Sequence, residues 1–232
     1  MNSYKKCRNC KTINNPDAQH CIECGAQLGP NKSSRVLLAI IGAVVGVAVF
    51  FGVRYALDTF LDREETPAAP LPAAVDPQPL EVGGVRVLDV CGMQAAPDYD
   101  LGEAGQYVRD QEVRYCQQGD LFMALSHILY NPDVITNLDG AVQGSIDEIQ
   151  ASADVTDLDC HTEAFTLDGR DARRTTCTFT SVSAGAQGGT EVIYTLDGVS
   201  LYMFQAVYPT AGSRYQALVD QAMNSFGYAD AQ

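Results

Sequence analysis

Cysteines 7, 10, 21 and 24 stand in two Cys-x-x-Cys pairs separated by ten residues. Thiolates are soft, strong ligands, and a Cys-x-x-Cys turn places two of them on one side of an ion. Two such turns complete a tetrahedron, so Cys7, Cys10, Cys21 and Cys24 are read as the ligands of a structural Zn2+. A redox dithiol pair is the competing chemistry. His20 is a fifth potential donor beside Cys21, but four thiolates already saturate zinc. Too few apolar residues surround the cysteines for this segment to fold alone. Metal binding would then supply most of its folding free energy, of order 10 kcal/mol in zinc peptides. Four further cysteines, at 91, 116, 160 and 177, are widely spaced. That pattern suits disulfides in an oxidising compartment, whereas the first suits metal binding in a reducing one.

Between the two sets lies an uninterrupted apolar run, residues 36–53, eighteen residues without a charged or polar side chain. As a helix it spans ~27 Å, close to the hydrocarbon thickness of a bilayer. It extends to residue 57 if Arg54 snorkels to the headgroups. A transmembrane helix over 36–57 is therefore expected. A cleaved signal peptide fits poorly, because a complete four-cysteine module precedes the run. A buried helix of a soluble domain fits poorly as well, since glycines at 42, 46 and 52 interrupt it. Gly42 and Gly46 form a GxxxG, a spacing that permits self-association of helices.

Orientation follows from charge and cysteine chemistry. Residues 1–35 carry six Lys/Arg against Asp17 and Glu23. The immediate flanks tie, with Lys32 and Arg35 before the run and Arg54 and Arg63 after it. The whole basic tail and the two redox environments place the N-terminus in the cytoplasm and residues beyond 57 outside the membrane, the inner membrane if the cell is bacterial as the resemblance below implies. A proline- and alanine-rich linker, 58–79, then serves as a semi-rigid spacer.

Residues 80–232 carry seven Arg, no Lys and twenty-two Asp/Glu. Such an acidic domain repels phosphates and disfavours nucleic acid as its partner. Its patterning predicts a first strand over 82–90, an irregular stretch over 92–120, a strand over 121–130 and a helix over 137–151. Two hairpins follow. The first turns on Asp168-Gly169, which sets Glu163 opposite Arg174, Phe165 opposite Ala172 and Cys160 opposite Cys177. The cysteines then form a non-hydrogen-bonded pair, close enough for a disulfide. By elimination Cys91 pairs with Cys116. The second hairpin is expected to turn on Asp197-Gly198, with Leu196 opposite Val199 and Tyr194 opposite Leu201. A final amphipathic helix runs from an N-cap at Ser213 to Phe226 and closes at Gly227.

Two resemblances add to this reading. The run Pro16-Asp17-Ala18-Gln19-His20-Cys21-Ile22-Glu23-Cys24-Gly25, with the upstream Cys7–Cys10 pair, resembles the short bacterial zinc-ribbon family over residues 4–28. The first knuckle departs from that family at Lys11, where glycine is usual. The element order of 82–228 resembles the PsbP-like α/β/α domains: an antiparallel sheet with packed helices, an α+β fold. That resemblance implies a binding or assembly module.

No GxSxG, HExxH, P-loop, GxGxxG or EF-hand pattern is present in the sequence, so no enzymatic activity is expected. His127 is expected to be a core histidine, and His161 to point away from the face that carries Cys160. Asp154, Asp157 and Asp159 are expected to be a solvated loop rather than a cation site. Arg170, Arg173 and Arg174 are expected to pair locally with Asp168, Asp171 and Glu163. The expected function is that of a single-pass membrane protein that binds, scaffolds or senses. Its partners are the lipid bilayer and a further protein. The alternative is a membrane-tethered regulator whose zinc ribbon binds nucleic acid.

Overall fold

The computed structural model describes residues 5–7, 10–14, 18, 21–24, 76–97, 101–210 and 215–230. The expected membrane helix at 36–57, its Gly42/Gly46 pair, most of the linker and Ser213 lie outside the described residues. No helix among the described residues is long and apolar enough to cross a membrane. The N-terminal module contains β1 (Lys5–Lys6) and β2 (Ile13–Asn14), paired antiparallel.

The C-terminal domain begins with β3 (Gln78–Val82), so the last two residues of the expected linker already belong to a strand. It continues through β4 (Val85–Asp89), β5 (Gln94–Ala95), a 3-10 helix (Gly102–Tyr107), β6 (Val108–Gln118) and β7 (Leu121–Tyr130). Helix α1 (Leu138–Ala151) precedes four long strands: β8 (Val155–Leu167), β9 (Arg170–Ser181), β10 (Ala186–Asp197) and β11 (Ser200–Pro209). Helix α2 (Gln216–Ser225) and β12 (Gly227–Tyr228) complete it. The main sheet is antiparallel in the order β5-β6-β7-β11-β10-β9-β8, and a smaller one runs β12-β4-β3.

The sheet is covered on both sides. On one face Leu121, Met123 and Leu125 of β7 join Phe204 and Ala206 of β11. Val219, Ala222, Met223 and Phe226 of α2 and Val82, Val85 and Val87 of the small sheet pack against them. On the other face Ile128, Val192, Tyr194, Leu201 and Met203 meet Leu138, Ala141 and Val142 of α1. Each fully buried side chain of this size contributes about 1.5–3 kcal/mol. Helix α1 starts where expected because Asn137 Oδ1 accepts the amides of Asp139 (2.9 Å) and Gly140 (3.4 Å).

The structure corrects four expectations. The single strand at 82–90 is the second half of a hairpin, because Gly83 and Gly84 take φ of +60° and +104°. A Cβ on Gly83 would lie 2.4 Å from His127 Nδ1, so the turn also needs glycine for space. The stretch 92–120 contains β6, an eleven-residue strand whose mostly polar residues hide it. It is held by backbone pairing to β7 across its length.

The second hairpin turns on Gly198-Val199, with Asp197 opposite Ser200 and Tyr194 opposite Met203. Asp168 takes φ +49° and Gly169 +83°, the two left-handed residues of the first turn; in the second only Gly198 is left-handed. The register moves by two residues, so every side chain keeps its expected face.

Gly227, expected as a left-handed helix cap, instead opens β12 opposite Arg86. Its missing Cβ makes room for Asp168, whose Oδ2 would lie 2.7 Å away. Asp168 Oδ2 also accepts the Tyr228 amide at 2.7 Å, locking the chain's last strand to a hairpin tip.

That lock yields a prediction. Asp168→Gly relieves a left-handed aspartate but orphans the part-buried Tyr228 N–H. The loss is expected to win, destabilising the domain by about 1–2 kcal/mol. Urea unfolding of the full chain in detergent, followed by near-ultraviolet tyrosine dichroism, measures it; equal or higher stability would show that the carboxylate contact contributes nothing.

Candidate metal centre

The four N-terminal cysteines converge. Their sulfur atoms all lie within 4.8 Å of one another. Cys7 Sγ is 3.6 Å from Cys24 Sγ, and Cys10 Sγ is 3.4 Å from Cys21 Sγ. The close contacts therefore run between the two knuckles rather than within them. At a metal–sulfur distance of 2.3 Å, two corners of a tetrahedron are ~3.8 Å apart. The observed separations are slightly shorter, and the donor set fits a tetrathiolate ion. Cys7 and Cys21 are buried, while Cys10 and Cys24 are exposed.

Local backbone builds the first knuckle. The Cys7 amide donates to Thr12 O (2.9 Å) and the Lys11 amide to Cys7 O (3.0 Å). Lys11 takes φ +66°, a left-handed angle that glycine adopts more readily than a residue with a side chain. Holding a lysine at that angle costs about 1–2 kcal/mol of backbone strain.

Asn14, which the spacing of the cysteines does not single out, joins the two knuckles. It is 5% exposed. Its Oδ1 accepts the Ile22 amide at 2.9 Å; its Nδ2 donates to Thr12 O at 2.9 Å and to Cys21 Sγ at 3.6 Å. The signal available in the sequence was its polar type two residues before Pro16, at the end of a short strand. Backbone hydrogen bonds at Cys24 lower the Cys21 thiol against the effect of burial. With further bonds from Glu23, Cys10 and Asn14 they bring it from 9.0 to about 6. The Cys10 thiol is lowered too, by the side chain and backbone of Thr12. The Thr12 hydroxyl in turn donates to Glu23 at 2.7 Å. Both shifts favour the thiolate, the form that ligates metal.

In the C-terminal domain the other four cysteines meet in pairs at disulfide distance. Cys160 and Cys177 face each other across β8 and β9, with Cα atoms 4.1 Å apart. Cys91 and Cys116 bring β6 to the segment after β4, with Cα atoms 6.0 Å apart. The pairs lie on opposite faces of the sheet, since Cys177 stands opposite Thr190, next to Val192 on the α1 side, whereas Cys116 stands opposite Met123 on the α2 side.

The three arginines do not form one cluster. Arg170 reaches Asp197 and Asp230 (both 3.4 Å) and covers the Tyr228 ring at 3.8 Å. Arg173 pairs with Asp139 of α1 at 2.8 Å. Arg174 pairs with Glu191, which is 4% exposed, and not with Glu163 across the hairpin. The expected local partners are thus replaced by residues of neighbouring elements. Asp154 is tied as well: it accepts the Ser181 hydroxyl and the Ser183 amide, both at 2.8 Å. Burial raises its carboxyl, and these bonds outweigh that and hold it below the ordinary value. His161 is exposed on the edge strand. Phe179, Gly188, Val207 and Pro209 line a small apolar hollow at one end of β10 and β11.

His127 is half-buried rather than a full core residue. It stacks on Tyr202 (4.8 Å), whose hydroxyl donates to Gly83 O at 2.7 Å. Burial lowers its imidazole below 6.5, against the pull of Asp110 and Glu112.

Two predictions follow from these environments. Asn14→Ala is expected to weaken Zn2+ affinity by roughly 10- to 100-fold while sparing the thiolate–Co2+ charge-transfer band, since all four sulfurs remain. Chelator competition reads the first and absorbance the second; unchanged affinity would make Asn14 a packing residue only. For His127, the unfolded state takes up its proton near pH 6.5 and the folded state only below that. Its contribution is therefore complete above the unfolded pKa and is lost as pH falls through the folded one. The unfolding free energy of His127→Gln is expected to vary less than that of the parent between about pH 7.5 and about pH 5. Parallel profiles would remove His127 as the cause.

No family model matches this sequence, and no curated protein matches it. Among solved structures the chain is similar to the cyanobacterial PsbP (CyanoP) of Synechocystis, with a TM-score of 0.49 and 12% identity. That match covers 70% of this chain and 98% of the other. The Ran-binding protein Mog1p of Saccharomyces cerevisiae aligns with a TM-score of 0.42 and 10% identity, covering 67% of this chain and 96% of Mog1p. LpqN of Mycobacterium tuberculosis, involved in cell envelope biogenesis, aligns with a TM-score of 0.35 and 12% identity, covering 71% and 86%.

Proposed function

We propose that this chain is a single-pass protein of a bacterial inner membrane that works by binding. A cytoplasmic zinc ribbon (Cys7, Cys10, Cys21, Cys24) and a PsbP-like extracytoplasmic domain are joined by the apolar segment 36–57. The domain would hold a protein or other envelope ligand, and the ribbon a cytoplasmic one, so that the chain scaffolds or reports across the bilayer.

The observation that supports this reading is the division of the cysteines. Before the apolar run four sulfurs gather in one unbonded group within 4.8 Å. After it, four meet two by two with Cα atoms 4.1 and 6.0 Å apart. The first arrangement calls for a reducing compartment and available metal, the second for an oxidising one. A bilayer between them satisfies both. In this reading zinc closes the ribbon and the Cys160–Cys177 and Cys91–Cys116 bridges close outside the cell. Arg170, Arg173 and Arg174 are engaged by carboxylates of the domain itself, which favours recognition by shape and hydrogen bonding over capture of an anion.

Membrane-impermeant maleimide applied to intact cells tests the topology. The parent chain is expected to remain unlabelled from outside until a reductant opens the outer bridges. Labelling then falls on Cys91, Cys116, Cys160 and Cys177, and the ribbon thiols react only after lysis. Labelling of Cys10 or Cys24 in unbroken cells would sink the proposed orientation.

A further inference from the structure

Four large apolar side chains are exposed among the described residues: Ile13, Ile22, Ile135 and Val182. Two of them stand on the small cysteine module, with Ile22 88% and Ile13 61% exposed. A side chain left that open beside a metal knuckle gains nothing from the module's own fold. The two are also linked structurally. Asn14, adjacent to Ile13, holds the Ile22 amide through its side chain at 2.9 Å. Cations stand with them. Lys6 is the direct cross-strand partner of Ile13, so the two side chains share one face of the ladder, and both Lys6 and Lys11 are exposed.

We infer that this module rests on the anionic headgroups of the membrane, with Ile13 and Ile22 entering the interface and Lys6 and Lys11 meeting phosphates. The inference depends on the proposed span and orientation. Only eleven residues separate Cys24 from the apolar run at 36. Even fully extended, that tether holds the module within ~40 Å of the bilayer. The basic balance of residues 1–35, six Lys/Arg against two acids, exceeds the two negative charges of a zinc tetrathiolate. It therefore complements an anionic leaflet. Nucleic acid would satisfy the lysines but would leave both isoleucines in water. A lipid interface covers the apolar side chains and pairs the cations together.

The chain contains no tryptophan, so one introduced residue reports its own surroundings. Ile22→Trp in the full zinc-loaded chain is reconstituted in phosphatidylcholine vesicles with or without phosphatidylglycerol, their acyl chains brominated near the headgroup end. Phe51→Trp, within the apolar run, is the companion. With phosphatidylglycerol present, Ile22→Trp is expected to emit at shorter wavelength and to lose roughly half its emission to the bromines. Adding Lys6→Gln and Lys11→Gln is expected to restore most of it. Phe51→Trp is expected to be quenched in both vesicle types. Water-like, unquenched emission from Ile22→Trp beside a quenched Phe51→Trp overturns the docking and leaves the span standing. Absence of quenching at Phe51→Trp removes the span and the docking with it. Equal quenching of Ile22→Trp without phosphatidylglycerol overturns the assignment to an anionic surface.

Discussion

Strands β7 and β11 lie side by side in the middle of the main sheet, and both of their faces are buried. Leu121, Leu125 and Phe204 face α2 and the small sheet, while Ile128, Leu201 and Met203 face α1. A sheet whose central strands are apolar on both sides has no stable state with one face in water. The remaining elements answer that demand. Helix α1 covers one side, and α2 with β12-β4-β3 covers the other. The polar strands β6 and β8 are carried toward the margins, where Cys116 is the one fully buried residue of β6 and most of β8 is exposed. The three-layer arrangement thus follows from two strands of ten residues each.

The layers are fastened at their edges by specific contacts. The Cys160/Cys177 pair joins the outermost strand to its neighbour on the α1 side. The Cys91/Cys116 pair draws the segment after β4 onto β6 on the other side. Asp168, at the tip of the β8–β9 hairpin, receives the Tyr228 amide. Arg170 from the same tip covers the Tyr228 ring, and Thr195 meets the Tyr228 hydroxyl at 3.0 Å. The chain's last strand is thereby held by contacts more than thirty residues away in sequence. Arg174 and Glu191 form the most buried ion pair here, on a site where losing either partner would leave a charge without compensation.

The N-terminal module follows a different logic. Among its described residues only Cys7, Asn14 and Cys21 are buried, so its geometry depends on four sulfurs and the hydrogen bonds that aim them. Asn14 is the joint between its halves, because one side chain addresses a backbone carbonyl, a backbone amide and a ligand sulfur. Lys11 adopts a glycine's backbone angle without a glycine's freedom, so the knuckle holds it there at a cost.

Spacing alone made several features legible. The convergence of Cys7, Cys10, Cys21 and Cys24, the Cys160/Cys177 pairing, the helix at 138–151 and the faces of the second hairpin all follow from short-range periodicity or from a turn that dictates its own register. The Gly198-Val199 turn was misplaced by a residue because Asp-Gly suits two turn types, and only the paired strands choose between them. Strand β6 was invisible because Arg109, Asp110, Gln111, Glu112 and Arg114 obscure any alternation; its stability comes from β7, which lies beyond a local window. The partners of Arg170, Arg173 and Arg174 were equally beyond reach. Side chains pair with whatever packing brings near, and Asp139, Glu191 and Asp230 are neighbours only once α1, β10 and the chain's end are in place. By itself the sequence determined which cysteines gather and which face each other, because knuckle spacing and hairpin register act over short range. Tertiary structure decided which polar groups meet, because those distances are set by long-range packing rather than by neighbours along the chain.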